Sequence, residues 1–312
     1  MLTDRLSDVR EVLKKMAKYR NIIGEEYSAR AYDNAAKIIK DTVVLRRVLD
    51  GVDLPKGIGK KIREIVVEFI ATGSIKELSS LRADPKIIAL ERFEKIMGVG
   101  PVNALKFVEE GYTSLESLAD NPYLTKQQKI GIEYYGKIIL RIPRAVITSA
   151  FEDLQQIINS LDPGSESIVS GSYRRGSATS GDVDVLIKSA MLTGNDVMSA
   201  ITTKYAYEPE KIVVISSGEQ KIMFLLKIQI EASTKYIQVD MFISRPDEYV
   251  AHLNYSTGSA EHNIYLRNAA IKKGLKLSQH GLYNGQKKIT ITNEQELYNI
   301  LGVPYVEPSL RN

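Results

Sequence analysis

The sequence predicts an α+β protein of several domains, in which an all-helical N-terminal part precedes a mixed β-sheet and a small α/β segment. Three observations carry that reading. Apolar residues recur at three- and four-residue steps through about residue 141. Within that stretch a Gly-apolar-Gly turn opens a helix twice, at Gly57-Ile58-Gly59 and at Gly98-Val99-Gly100. After Asp162-Pro163-Gly164 the texture changes to alternating, β-branched runs. A chain of 312 residues is long enough to bury more than one core.

From Asp4 to about Leu49 the spacing of Leu6, Val9, Leu13 and Met16, then of Ala31, Ala35, Ile38 and Ile39, predicts helices. Leu54-Pro55 ends that run, and Gly57-Ile58-Gly59-Lys60-Lys61 starts a helix that reaches Ile70 and stops at Gly73. The arrangement recurs at Gly98-Val99-Gly100-Pro101, forming the repeated signature of a helix-hairpin-helix. Glycines let such a turn run close to a phosphate, and the helix N-terminus aims free N–H groups at the anion. These contacts grip a nucleic-acid backbone without reading its sequence. One copy is equally well a tight turn between helices; two, the first followed by Lys60 and Lys61, favour DNA binding. Residues 103–141 are expected to continue helical, Arg141-Ile-Pro-Arg144 marks a seam, and a helix follows over Ala145–Leu161.

Beyond the seam, Ile168-Val169 leads into a Gly-Ser turn at Gly171-Ser172. Val183–Ile187, Lys211–Ser216, Lys221–Ile230 and Tyr236–Ile243 read as strands, the last two joined by the short connection Glu231-Ala-Ser-Thr. The final section reads as a loop around Asn254–Ser259, a helix carrying Asn263 and Arg267, a strand at Ile289-Thr-Ile-Thr and a short helix over Glu294–Leu301.

Composition narrows the chemistry. The chain has no cysteine, which excludes disulfides, zinc–cysteine sites and thiol nucleophiles and fits a reducing compartment. No apolar run approaches the roughly 20 residues of a membrane span, and the start of the chain shows no apolar signal core. The net charge of +4 is unevenly placed. Residues 1–95 carry 20 Lys+Arg against 15 Asp+Glu, so the basic excess lies in the N-terminal third, where an anionic partner is expected.

The stretch from Gly171 to Ile187 organises the chain. Asp182 and Asp184 stand two apart, so on a strand they share one face, roughly 7 Å along. Val183, Val185 and Ile187 turn the other way into a core. Neighbouring carboxylates repel and raise each other's pKa unless a cation sits between them, and hard, oxygen-seeking Mg²⁺ suits that place. Asp-Val-Asp alone fits a solvated edge strand equally well. With Gly171-Ser172 and Arg175 upstream to suit a triphosphate, the stretch reads as a nucleotidyl-transfer centre. Asp240, a lone acid in the apolar strand Tyr236–Ile243, is the third carboxylate, since burying it without a partner is costly.

With these motifs in order, the chain resembles a family X DNA polymerase of the polymerase-beta type over essentially its full length. The motifs are Leu54-Pro-Lys-Gly-Ile-Gly-Lys-Lys-Ile, Gly98-Val-Gly-Pro, Gln128-Lys-Ile-Gly-Ile-Glu-Tyr-Tyr, Arg141-Ile-Pro-Arg, Gly171-Ser-Tyr-Arg-Arg-Gly with Ser180-Gly-Asp-Val-Asp, Tyr255-Ser-Thr-Gly-Ser and Pro304-Tyr-Val-Glu-Pro. The resemblance implies a helical DNA-binding domain at 1–82, a second helical subdomain at 83–144, a catalytic palm at 145–245 and a nascent-base-pair subdomain at 246–312. It implies two Mg²⁺ ions, with Mn²⁺ able to substitute, held by Asp182, Asp184 and Asp240, the last helping to deprotonate the primer. Arg141, Ser172, Arg175, Ser180 and Gly181 would contact phosphates, and Tyr255, Gly258 and Asn263 the rest of the incoming nucleotide. Arg267 would touch the template, Gly57, Gly59, Lys60, Lys61, Gly98 and Gly100 the DNA, and the carbonyls of Ile58 and Val99 a Na⁺ or K⁺ ion.

The departures bear on function. Ile65 stands where the family's lyase lysine forms a Schiff base, and Ser28 replaces a basic residue of the 5′-phosphate pocket, of which Lys61 and Tyr32 remain. Removal of 5′-deoxyribose phosphate is therefore expected to be lost or weak, unless Lys60 or Lys61 takes it over. Gln238 replaces an arginine near Asp240, and Ser256 replaces the aromatic after Tyr255 that helps exclude ribonucleotides. The hairpin before Tyr236 is too short for the loop of template-independent relatives. The expected protein is thus a gap-filling repair polymerase taking dNTP and gapped or nicked DNA, monomeric, away from membranes, without a BRCT-like extension. It is expected in the nucleus, or in the cytoplasm if encoded by a cytoplasmically replicating virus. The alternatives are a nucleotidyltransferase acting on RNA ends and a non-catalytic DNA-end-binding scaffold.

Overall fold

The computed structural model describes residues 2–311, and the chain divides into two compact units after Glu133. Among the described residues the first unit is helical throughout. It contains α1 (Leu2–Ile22), α2 (Glu26–Ile38), α3 (Thr42–Asp50), α4 (Lys60–Thr72), α5 (Lys76–Leu81), α6 (Pro85–Phe93), α7 (Pro101–Glu109), α8 (Leu115–Ala119) and α9 (Lys126–Glu133). The apolar spacing read from the sequence faces inward: Val9, Leu13 and Met16 of α1, Ala35 and Ala36 of α2, and Ile62, Ile65 and Val66 of α4 are buried. Local chemistry sets the helix ends. The Asp41 carboxylate accepts from Val44 N at 2.9 Å to start α3, and Asp84 caps α6 ahead of Pro85. Gly51 and Gly73 end α3 and α4 in the left-handed conformation. No helix of the described chain is long and apolar enough to cross a membrane.

The second unit is built on a five-stranded sheet. In chain order it comprises β1 (Ile142–Pro143), α10 (Arg144–Leu161), β2 (Glu166–Val169), α11 (Gly171–Arg174), β3 (Thr179–Ser180), β4 (Val183–Lys188), α12 (Gly194–Lys204), β5 (Ile212–Ser217), β6 (Lys221–Ile230) and β7 (Ser233–Ser244). The sheet order is β2-β4-β7-β6-β5, with β4 and β7 parallel and the other neighbours antiparallel. One face carries Val183, Val185, Ile187, Phe224, Val239 and Met241 into a core closed by Ile147, Leu154 and Ile158 of α10 and Val197 and Ile201 of α12. The opposite face is left for the acidic residues.

The chain then forms α13 (Tyr249–Thr257), α14 (Ala260–Lys272), β8 (Lys276–Ser278), β9 (Gly281–Asn284), β10 (Lys287–Ile289) and α15 (Glu294–Leu301). Leu266, Ala270, Leu282, Leu297 and Tyr298 make a second, smaller core there. The α+β class and the helical-then-mixed-sheet order expected from the sequence both hold.

Several local readings change. Asp182 immediately precedes β4, which begins at Val183, and Gly171–Arg174 is a single helical turn. Residues 134–141 are not helical: Gly136 turns left-handed at φ 76°, and Ile138 forms a parallel bridge to Tyr236 beside β7. The connection between β6 and β7 has two residues, because Glu231 adopts φ 51° and Ser233 pairs with Ile230. Tyr255, Ser256 and Thr257 lie in α13, where the Thr257 hydroxyl donates to Leu253 O at 2.6 Å. The strand near the C-terminus is Lys287–Ile289.

A buried ionic cluster ties α11, α13 and α15 together. Glu294, at the start of α15, accepts from Arg174 Nη2 at 2.6 Å and from Arg311 Nη1 at 2.7 Å, while Arg174 Nη1 also donates to Thr257 Oγ1 at 2.7 Å. Burial opposes the Glu294 charge, but the hydrogen bonds from Arg174 and Arg311 outweigh it and hold the carboxyl below its ordinary pKa. Removing the carboxylate leaves two guanidinium groups without their counter-charge in a dry site. Glu294→Ala is expected to destabilise the protein by about 3–5 kcal/mol in urea unfolding. A loss below about 1 kcal/mol would show that the cluster is not structural.

Candidate active site

The parallel register of β4 and β7 sets Asp184 directly against Asp240. Neighbouring strands lie about 4.8 Å apart, so the two carboxylates stand side by side on the face away from the core, with Asp182 next to them. Burial, reinforced by the charges of Asp182 and Asp240, pushes Asp184 up to about 7; burial and Asp240 likewise raise Asp182. Gly171 makes room for this group. It sits at φ 57°, and a Cβ there would lie well inside contact distance of Asp184 Oδ2. Ser170 N donates to Asp184 O at 2.7 Å, which docks the helical turn α11 onto β4.

Asp240 is buried and both its oxygens are engaged. Lys221 Nζ approaches Oδ2 to 2.8 Å, and Gln238 Nε2 donates to Oδ1 at 2.8 Å. Among the described residues no three acidic or histidine side chains are arranged as a ready metal cage.

Beside the acids opens a cleft of about 490 Å³. Asp184, Arg175, Tyr255, Gly258, Asn263 and Arg267 all line it, bringing together residues up to 92 positions apart in sequence that were read as nucleotide- and template-binding. Arg175 Nη1 donates to Thr257 O at 2.7 Å, while its Nε is buried with no hydrogen-bond partner. Asn263 Nδ2 donates to Tyr255 O at 2.8 Å, and the Arg267 guanidinium lies 5.4 Å from the Tyr255 ring centre. Ser172 Oγ donates to Ser180 Oγ at 2.8 Å. Ser172 and Ser180, like Gly181 beside Asp182 and the exposed Arg141, lie outside the cleft lining.

Three residues that sequence reasoning passed over belong here. Lys221 holds Asp240, and Phe242 and His252 line the cleft with ring centres 5.6 Å apart. Burial, with His280 adding to it, lowers His252 to about 4, so the imidazole is neutral near pH 7. Ser256 lines the cleft too, a small hydroxyl where the resemblance led to an aromatic ring. A larger cavity of about 730 Å³ lies around Lys188, Asp247 and Lys288, but its charged groups are already matched: Lys188 with Glu166 and Lys288 with Asp247.

In the first unit the two Gly-apolar-Gly turns share one geometry. Gly59 caps α4 at φ −85°, ψ 170°, and Gly100 caps α7 at φ −81°, ψ 171°, neither helix being closed by a side-chain cap. Gly57 and Gly98 hold φ 97° and 80°, and a Cβ would meet Ile38 Cδ1 at 2.7 Å or Gln127 Cγ at 2.8 Å. Ile58 and Val99 are buried between the glycines. Lys60 and Lys61 begin α4, so the two helix N-termini keep free N–H groups of the kind that bind phosphate.

Comparison with known proteins matches three stretches of the chain to polymerase domains. The family described as DNA polymerase beta palm matches residues 141–245, DNA polymerase beta thumb matches 252–312, and the fingers domain of DNA polymerase lambda matches 91–138. The chain belongs to the family X DNA polymerases. Among its relatives are the DNA polymerase lambda of Arabidopsis thaliana, 28% identical over 98% of this chain and 62% of that protein, and that of Rattus norvegicus, 27% identical over 97% and 56%. The chain thus spans about three fifths of the length of the curated relatives it matches. In this family X chain the palm match covers Asp182, Asp184 and Asp240, and the thumb match covers Tyr255, Asn263 and Arg267.

Kinship with polymerases implies divalent-metal chemistry in general terms. The donor set fits it: Asp182 and Asp184 repel each other and Asp240 in a buried site, and the space at Gly171 is needed for a carboxylate. Gly171→Ala would drive a methyl into Asp184 Oδ2 and is expected to lower Mn²⁺ affinity at least about tenfold, with secondary structure retained at a backbone cost of about 1–2 kcal/mol. Unchanged Mn²⁺ binding, read by electron paramagnetic resonance alongside circular dichroism, would contradict that role.

Proposed function

We propose that the chain is a template-directed DNA repair polymerase that fills short gaps, adding dNMP to a primer 3′-end and releasing pyrophosphate. The reading rests above all on Asp184 facing Asp240 across β4 and β7, beside a cleft lined by Arg175, Tyr255 and Asn263. In the reaction the primer 3′-oxygen attacks the α-phosphorus as the bond to the bridging oxygen breaks, and pyrophosphate departs. Bound Mg²⁺, held by Asp182, Asp184 and Asp240 and replaceable by Mn²⁺, supplies the Lewis-acid chemistry of two-metal transfer. Asp240 takes the hydroxyl proton once Lys221 and Gln238, which hold it now, release it. Arg175, with a buried N–H lacking an acceptor, orients the triphosphate. Asn263 and Arg267 frame the nascent pair. The paired glycine turns of the first unit hold the DNA backbone, with a Na⁺ or K⁺ ion at the Ile58 and Val99 carbonyls, and the protein acts as a monomer on gapped or nicked DNA.

Lyase chemistry is absent from this proposal. Ile65 is buried in the inward face of α4, so the position read as the Schiff-base lysine faces a hydrophobic core. The remaining polar groups converge on Glu77, which accepts from Tyr32 Oη at 3.1 Å, lies 3.2 Å from Lys61 Nζ and is paired with Arg20. Burial opposes the Glu77 charge, but hydrogen bonds from Arg20 and Lys61 keep its carboxyl below the usual pKa, so the basic groups are already matched.

One substrate reads both activities: one-nucleotide-gapped DNA bearing a 5′-abasic phosphate. The protein should extend the primer by one templated nucleotide, and Asp240→Ala should abolish extension, by at least about three orders of magnitude, while DNA affinity changes less than about threefold. Extension surviving in that variant would sink the catalytic assignment. Borohydride should trap no covalent adduct, and strong trapping that disappears in Lys60→Ala or Lys61→Ala would show that a neighbouring lysine has taken the lyase role. Preferential transfer to RNA ends would favour an RNA-directed nucleotidyltransferase, and DNA binding without transfer a scaffold.

A further inference from the structure

Lys221 departs from what a metal-binding carboxylate cluster requires, because it puts a fixed cation of the chain itself on one of the acids. The register of β6 with β7 sets Met223 opposite Asp240 and Lys221 opposite Phe242. Lys221 is therefore the diagonal neighbour of Asp240 on the acidic face, a distance a lysine side chain spans. Its Nζ lies 2.8 Å from Asp240 Oδ2 and 4.8 Å from the Phe242 ring centre. Phe242 is in turn held edge-on by His252 at 5.6 Å and 67°. The Lys221 side chain is 42% exposed while that of Asp240 is 8% exposed, so the lysine has an open side to move into and the carboxylate has none. Gln238 grips the other oxygen of Asp240 as a neutral donor. The positive charge at Asp240 thus rests on Lys221 alone among its direct partners.

We propose that Lys221 is a tethered counter-ion which competes with the divalent cation for Asp240, so that the metal enters only as the lysine lets go. The inference rests on reading Asp240 as a metal ligand. An ammonium at 2.8 Å neutralises the third carboxylate before metal arrives and keeps three crowded acids from repelling each other unrelieved. When a divalent ion takes the same oxygen, two cations cannot share it at contact distance, and the lysine swings toward its exposed side with the Phe242 face as its nearest resting place. Lys221 is therefore a positioning residue. It acts through Asp240 and sets the metal concentration at which the centre assembles.

The test is Mn²⁺ titration of the full-length, DNA-free protein followed by electron paramagnetic resonance, with Asp240→Asn, Lys221→Met and Lys221→Arg compared with the unchanged chain. Asp240→Asn should weaken Mn²⁺ binding at least about tenfold, which establishes the carboxylate as a ligand. Lys221→Met should tighten it about fivefold to twentyfold, and Lys221→Arg, which keeps the charge, should change it less than about threefold. Thermal melting supplies a second readout: Lys221→Met should melt lower than the unchanged chain in EDTA and regain most of the difference in saturating Mg²⁺. A loss of stability that Mg²⁺ does not repair would assign Lys221 a purely structural role and overturn the inference. Weaker binding in Asp240→Asn with no tightening in Lys221→Met would also overturn it while leaving the site reading intact. Unchanged binding in Asp240→Asn would overturn both.

Discussion

Two strands running the same way, in a register that sets one carboxylate against another, create an electrostatic problem that the rest of the second unit answers. Asp184 and Asp240 cannot avoid each other, because their backbones are paired residue for residue from Val183–Val239 to Lys188–Ser244. A one-residue slip would relieve the repulsion but would also turn Val183, Val185, Val239 and Met241 out of the core closed by α10 and α12. Hydrophobic burial on one face therefore enforces like-charge proximity on the other. Burial first, and then the neighbouring carboxylates, raise the pKa of Asp182 and Asp184. Lys221 relieves part of the repulsion from the neighbouring strand.

The cleft walls depend on a second buried charge problem, solved differently. Arg174, Glu294 and Arg311 place two positive charges against one negative in a site with almost no water access, and one amino group of Arg311 is left without a hydrogen-bond partner. Such clusters contribute little net stability but fix geometry, because a different arrangement would strand a charge. Here the geometry fixed is that of α11 against α13. Arg174 holds Thr257 by its hydroxyl, and the adjacent Arg175 holds the same residue by its carbonyl, at 2.7 Å each. The turn that presents the Gly171-Ser172 motif is thereby fastened to the helix that carries Tyr255.

Much of this was legible in the sequence, for identifiable reasons. Alternation told which face of β4 and β7 carried the acids, since side-chain direction in a strand follows from parity alone. The repeated glycine turns were legible because left-handed backbone at Gly57 and Gly98 leaves few other residues possible. Register was less accessible. Reading the β6–β7 connection as four residues pairs Asp240 with Leu225 and carries Lys221 two residues farther along the strand. The two-residue turn actually formed pairs Asp240 with Met223 and brings Lys221 within reach. The difference turns on Glu231 adopting a left-handed conformation, which its side chain does not announce. His252 and Phe242 escaped notice for a related reason: neither belongs to a motif, and only the packing of α13 beside β7 makes them neighbours.

Helix α4 of the first unit joins two unlike surfaces. Its N-terminus, opened by Gly59 and followed by Lys60 and Lys61, has the free N–H groups and positive charge that suit a phosphate. One turn further, its inward face is wholly given to packing, with Ile62, Ile65 and Val66 all buried. A lysine at position 65 would have to carry its charge into that core, or draw polar partners after it, and the nearest basic groups are already matched to Glu77. The same helix thus keeps free N–H groups at its N-terminus and packs Ile65 into the unit along its side. Covalent chemistry on a sugar needs an uncommitted amine in a polar pocket, whereas phosphoryl transfer needs crowded carboxylates in want of a cation. The second condition is met on the acidic face of β4 and β7.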